Sequence, residues 1–225
     1  MTHSLVVATQ NRGKLDELRA LLSGLDLEIF TAKDILKKDV NVVEDGATFE
    51  ENAKKKAVQI SNATMMLTIA DDSGLEVDAL GGSPGVRSAR FAGERATDAE
   101  NNAALLAALD GLEVDPATGT RVEAGQSYPA RFRCVLALVD PFVRDGEPVV
   151  VEGICEGKIT RTPRGSGGFG YDPLFLVDGT DKTMAELGHD EKNRISHRAR
   201  AFEKLRLVLE KVLAERDEQT RRVCG

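Results

Sequence analysis

The sequence predicts an α/β fold, and three observations carry that reading. An apolar run at 4–8 opens into a polar loop and then into a helix with one apolar face. A second apolar run at 66–70 ends abruptly at Asp71-Asp72-Ser73-Gly74, placing carboxylates at the C-terminal end of a strand, where open α/β sheets bind ligands. The runs 131–139 and 149–160 have the β-branched, partly alternating character of paired strands.

Taken in order, 4–8 is a buried strand, and 13–22 is a helix whose Leu15, Leu18, Leu21 and Leu22 share a face. A short strand is expected at 27–30. Thr48 and Glu51 have capping-box spacing, which predicts a helix from Phe49 to about Ile60 with Asn52 and Lys56 one turn apart on a common face. The alanine-rich stretch 98–109 is a further helix, and 111–126, with Asp115-Pro116 and several glycines, is a surface loop. The run 174–177 reads as a short strand. From Ser196, a plausible N-cap, to about Glu215 the positions Ala199, Phe202, Leu205, Leu209 and Val212 keep helical spacing, with His197 and Arg198 in the first turn. The polar end 217–225 is expected to fray.

No Pro/Gly/Ser-rich linker divides the 225 residues, so one domain over 1–216, with room for two lobes, is the expectation. Hydrophobic residues at 41% supply a core and 30% charged residues a solvated surface. A net charge of −7 argues against coating long nucleic acid, while leaving room for a local basic pocket that takes a small anion. Cys134, Cys155 and Cys224 are an odd set without metal-type spacing, which fits reduced thiols and a cytoplasmic setting. There is no leader pattern and no apolar run of membrane-spanning length, so no membrane partner is expected.

Four constellations carry chemistry. The loop Thr9-Gln10-Asn11-Arg12-Gly13-Lys14, between a strand and a helix, offers backbone N–H groups, a helix N-terminus and a lysine to an anion; it also fits a plain glycine turn with a solvated lysine. Asp71 and Asp72 are costly after an apolar strand unless they bind a cation, cap a helix or move protons. Glu44 is a third carboxylate, in a loop where Asp45-Gly46 reads equally as a turn; hard oxygen ligands of this kind suit Mg²⁺ held jointly with substrate phosphates. In Gly165-Ser166-Gly167-Gly168-Phe169-Gly170-Tyr171-Asp172-Pro173 the glycines imply positive φ angles or a backbone close against a ligand. Phe169 there could stack on a nucleobase while Asp172 accepts hydrogen bonds, and the bland alternative is a turn ahead of a strand. Lys192, His197 and Arg198 gather near a helix start, where cations oppose the helix dipole and a ligand would compensate.

Together these motifs resemble the inosine triphosphate pyrophosphatases, which act on noncanonical purine nucleoside triphosphates. The likeness runs through ATQNRGK, VEDGATFEENAKKKA, ADDSGLEVDALGGSPGVRSARFAG, GSGGFGYDPLF and EKNRISHR. One departure is Phe91, where many members carry tyrosine. The resemblance implies a bent mixed sheet with flanking helices, two lobes around a central substrate cleft, and a homodimer. It implies that Thr9, Gln10, Asn11, Arg12, Gly13 and Lys14 grip the triphosphate and that Lys56 reaches it. Glu44 and Asp72 match the metal-site carboxylates, for Mg²⁺ with Mn²⁺ as a substitute, and Asp72 also matches the general base. Ser73 matches a substrate contact, and Phe169, Gly170, Tyr171, Asp172, Lys192, His197 and Arg198 match nucleoside-recognition positions.

The implied reaction is hydrolysis of inosine, deoxyinosine or xanthosine triphosphate to the monophosphate and pyrophosphate, which cleanses the nucleotide pool. Phe169 would stack on the base, and Arg198 or His197 would donate to its 6-oxo group. A rival enzyme reading, hydrolysis of modified pyrimidine or methylated nucleotides as in septum-inhibitor-like relatives, is opposed by GGFGYDP and SHR. A non-catalytic nucleotide sensor would be expected to lack Glu44 or Asp72, and both are present.

Overall fold

The computed structural model describes residues 2–38, 40–112, 114, 116, 119 and 127–224. Strand β1 (His3–Ala8) is followed by helix α1 (Arg12–Leu22), whose first turn is closed by Asn11: its Oδ1 accepts from the Lys14 N–H at 3.1 Å. Strand β2 (Leu27–Thr31) runs parallel to β1 in the register His3↔Leu27 to Val7↔Thr31. Helix α2 (Ala32–Leu36), which the sequence pattern did not indicate, begins on a full capping box between Thr31 and Asp34.

Helix α3 (Phe49–Thr64) starts where Thr48 predicts but runs a turn beyond Ile60. Thr48 Oγ1 accepts from Glu51 N at 3.1 Å as expected. The reciprocal half of the expected box is absent, because the Glu51 carboxylate reaches back one residue further and accepts from Ala47 N at 2.7 Å.

Strand β3 (Thr68–Val77) corrects the expected strand end. It does not stop at Ala70 but continues through Asp71, Asp72, Ser73 and Gly74. What stops at Ala70 is its parallel pairing to β1, whose last paired position is Ala8↔Ala70. The carboxylates therefore lie just past the end of that parallel ladder, while buried Leu75 and Val77 carry the strand onward.

Helix α4 (Asp98–Asp110) is capped by a full Thr97/Glu100 box. The loop expected at 111–126 falls mostly outside the described residues. Strands β4 (Tyr128–Val139), β5 (Val149–Ile159) and β6 (Phe175–Val177) follow, with β6 antiparallel to β5. The hydrogen-bonded order of the mixed sheet is β2-β1-β3-β4-β5-β6. Helix α5 (His189–Ile195) precedes α6 (His197–Cys224), and Ser196 stands between them. Helix α6 continues to Cys224, past the expected end near Glu215; Asp217 pairs with His3 at 3.3 Å, Arg216 with Asp140 at 2.6 Å, and Arg222 with Glu218 one turn earlier.

The chain forms two compact units. The first comprises Met1–Asp72, Cys134–Gly153 and Arg198–Gly225, and the second Ser73–Arg133 and Ile154–His197. Each has its own core. Leu5, Val7, Leu18, Ile69, Leu136, Phe202, Leu205 and Leu209 fill the first; Leu75, Leu105, Leu109, Tyr128, Tyr171, Leu174 and Phe175 fill the second. No helix among the described residues is long and apolar enough to cross a membrane.

Because α3 carries Lys56, its cap is a stability test. Thr48→Ala should lower unfolding free energy by about 1 kcal/mol in urea titrations, and Thr48→Ser should cost much less. Equal losses for the two would mean that the hydroxyl does not close this helix.

Candidate functional site

In the first unit, loop 9–14 and helix α3 bring two lysines onto the carboxylates of β3. Adjacent strand residues point to opposite faces, and Asp71 and Asp72 accordingly have different partners. Asp71 is fully buried. Its Oδ1 lies 2.6 Å from Lys14 Nζ, and its Oδ2 accepts from Arg198 Nε at 2.9 Å and from Cys134 Sγ at 3.2 Å. Burial alone would raise its pKa, but Lys14 and Arg198 outweigh that and hold the carboxyl well below the usual carboxylate range. Burial, and then the Asp71 charge, push the Cys134 thiol well up, so it stays protonated.

Asp72 is shifted the other way. Its pKa is raised, chiefly by burial, against the opposing pull of Lys56 and Lys14. Asp72 Oδ1 lies 2.9 Å from Lys56 Nζ, whereas Oδ2 is buried with no hydrogen-bond partner among the described residues. An orphaned carboxylate oxygen is costly, and it marks an atom set aside for a ligand or a proton.

Lys56, only 8% exposed, spends all three of its N–H donors: on the Asp71 carbonyl at 2.6 Å, on Asp72 Oδ1, and on Glu44 Oε1 at 2.7 Å. Burial pulls its pKa down, but Asp72 and Glu44 outweigh this, and the net shift is upward. The lysine thus joins the two carboxylates singled out as metal ligands. Among the described residues no three His, Cys, Asp or Glu side chains group as a metal site. A hard cation shared with substrate phosphates needs only one or two protein carboxylates, so Glu44 and the unpartnered Asp72 oxygen fit that donor chemistry.

The rest of the loop is arranged around the start of α1. Thr9 Oγ1 accepts from Asn11 N at 3.2 Å, Gln10 Nε2 donates to the Val40 carbonyl at 2.9 Å, Arg12 is exposed, and Gly13 lies in the first turn. Arg198, expected at the base, has its Nε and Nη1 on Asp71 and Glu17 and is 1% exposed. It pairs with the buried Asp71 and the half-buried Glu17.

In the second unit the glycine-rich run folds around Asp172. Asp172 Oδ2 accepts from Phe169 N at 3.0 Å and from Lys192 Nζ at 2.7 Å, and the lysine stands 5.2 Å from the centre of the half-buried Phe169 ring. Gly165, Gly168 and Gly170 have positive φ, as the glycine density predicts, and a Cβ at Gly168 would collide with the Asp172 carboxylate. Gly170 is pinned from α4, whose Asp98 Oδ2 accepts from Gly170 N at 2.7 Å and whose Asn102 Nδ2 donates to its carbonyl at 2.9 Å. The sequence reading missed both, although their spacing of one helical turn was a visible signal.

Tyr171 belongs to the core: it is 4% exposed, and its hydroxyl donates to the Ser88 carbonyl at 2.9 Å. Lys192 lies within α5 rather than ahead of a helix. His197, 5% exposed, stacks on Phe132 with ring centres 4.8 Å apart. Ser73 is half-buried on β3, the first residue of its unit.

A mixed α/β sheet, a basic strand-to-helix loop and lysine-bridged carboxylates define a class of α/β proteins equipped for an anionic ligand. More specifically, the model of the Ham1 family matches residues 5–208, and the chain belongs to that family. It is 48% identical over 206 residues to the dITP/XTP pyrophosphatase of Bacillus licheniformis, covering 92% of this chain and 97% of that protein. It is 48% identical over 198 residues to the protein of the same name from Geobacter sulfurreducens, covering 88% and 92%. Among solved structures, a HAM1 protein from Coxiella burnetii superposes with a TM-score of 0.78 at 41% identity, covering 93% of this chain and 99% of that one.

The Arg198 geometry gives a stability prediction. Removing one partner of a buried ion pair strands the other charge, so Arg198→Met should cost about 3–5 kcal/mol in denaturant unfolding. A loss below about 1 kcal/mol would show that Asp71 does not depend on this guanidinium.

Proposed function

We propose that this chain hydrolyses noncanonical purine nucleoside triphosphates, of the dITP and XTP kind, to the nucleoside monophosphate and pyrophosphate. The observation that carries the proposal is the first-unit cluster, in which Lys14 and Lys56 flank consecutive buried carboxylates and one oxygen of Asp72 has no hydrogen-bond partner among the described residues. The names of relatives that match over nearly their whole length support the same reaction. A homodimer acting on the cytoplasmic nucleotide pool is part of the same reading, carried by the family resemblance.

Glu44 and Asp72 would hold Mg²⁺, or Mn²⁺ in its place, which when bound offsets charge on phosphate oxygens and acidifies water. Asp72 takes the proton of the attacking water through its carboxylate: Oδ1 is engaged by Lys56, and Oδ2 has two lone pairs, so that holding the cation leaves one for the proton. Water attacks the α-phosphorus, and the bond to the bridging oxygen breaks. The departing pyrophosphate gains its charge beside Lys14, Lys56 and the N–H groups that open α1. For Lys56 this means exchanging one of its three contacts for a phosphate oxygen. Phe169 stacks on the base whatever its edge carries, a contribution of about 1–3 kcal/mol that does not discriminate among purines.

Asp72→Asn keeps the size of the side chain and loses its basicity, so kcat on dITP should fall by roughly 10² to 10⁴ with nucleotide binding retained. Near-normal turnover by a folded Asp72→Asn protein would remove Asp72 as the base. Wild-type activity should vanish in excess EDTA and return with Mg²⁺; full activity in EDTA would overturn the metal assignment.

A further inference from the structure

Four consecutive residues ahead of α3 are laced onto its first two turns. Glu44 Oε1 meets Lys56 Nζ at 2.7 Å, Asp45 Oδ1 meets Lys55 Nζ at 2.5 Å, Gly46 N donates to Asn52 Oδ1 at 2.8 Å, and Ala47 N donates to Glu51 Oε2 at 2.7 Å. These contacts differ in what they can fix. The Asp45 side chain is 66% exposed, and exposed ion pairs hold geometry weakly. Asn52 is 1% exposed, and its bond is to main chain, two residues from Glu44.

The fit at this point is close. A Cβ on Gly46 would lie 2.7 Å from Asn52 Oδ1 and 2.8 Å from the Glu51 Cβ, so the backbone can reach the amide only as glycine. Asn52 Nδ2 is buried with no hydrogen-bond partner among the described residues, a cost that a purely space-filling residue would not incur. Asn52 also sits one turn before Lys56 on the same buried helix face. An aspartate would offer the same acceptor but add negative charge beside Glu44 and Asp72, whereas the amide supplies the acceptor without it.

The geometry points to Asn52 as a positioning residue that fixes the backbone at Gly46 and so sets where the Glu44 carboxylate stands. The inference rests on the reading that Glu44 and Asp72 hold a divalent cation. Groups that orient metal ligands commonly contribute 10- to 100-fold to metal affinity.

The test is titration of the full-length chain with Mn²⁺ alone, with the free ion read by electron paramagnetic resonance and folding checked by circular dichroism. Asn52→Ala should weaken Mn²⁺ binding by about 10- to 100-fold. In a Glu44→Gln background, which itself weakens binding, adding Asn52→Ala should cause no further loss, because the amide acts through Glu44. If Asn52→Ala does not fold, Gly46→Ala carries the same expectation, since its Cβ displaces the amide. Unchanged Mn²⁺ affinity in folded Asn52→Ala or Gly46→Ala, with Glu44→Gln weakened, would overturn the positioning role alone, as would an undiminished further loss in the double variant. Unchanged affinity in Glu44→Gln, or no binding by the wild type, would instead overturn the metal reading beneath it.

Discussion

Two consecutive carboxylates buried in β3 are the constraint around which the first unit is organised. Asp71 is fully buried and Asp72 is 5% exposed, and neither could be ionised there without cations delivered to it. Lys14 comes from the first turn of α1, Lys56 from α3, and Arg198 from the first turn of α6. The two acids are then driven apart. Lys14 and Arg198 hold Asp71 well below the usual carboxylate range, while burial raises the pKa of Asp72, whose Oδ2 has no hydrogen-bond partner among the described residues. Neighbouring titratable groups whose surroundings separate them in this way can take different tasks: Asp71 is a counter-ion for the framework, and proton transfer is the task proposed for Asp72.

The second unit solves a different problem with a single carboxylate. Asp172 collects the Phe169 N–H and the Lys192 ammonium, and Gly168 leaves it the necessary room. Gly170, next along the run, is held at both its N–H and its carbonyl by Asp98 and Asn102 of α4. The glycine-rich run is therefore fixed by hydrogen bonds on both sides of Phe169, which leaves that half-buried ring on a backbone with little freedom to move.

Much of this was legible in the residues. The strand, loop and helix at the start, the Thr48 cap, the shared face of Asn52 and Lys56, and the positive φ angles of the glycine run all follow from local rules. The continuation of β3 past Ala70 was not legible, because alternation of apolar and polar residues fails at Asp71-Asp72. What makes those acids tolerable there includes Arg198, 127 positions away from Asp71. The same long-range pairing hides the buried work of Arg198, which in sequence looks like a free cation beside His197. Tyr171, which the family resemblance places among the nucleoside contacts, has its ring in the core and its hydroxyl on the Ser88 carbonyl, neither of which the sequence around it announces. Short α5 carries no periodicity long enough to declare itself.

The central claim is that the carboxylate and lysine cluster directs water to the α-phosphorus of a purine nucleoside triphosphate. Hydrolysis of dITP in ¹⁸O-labelled water, with the products separated and weighed by mass spectrometry, tests it most directly. The account predicts one ¹⁸O atom in the nucleoside monophosphate and none in the pyrophosphate. Label in the pyrophosphate, or labelled orthophosphate as the first product, would contradict it.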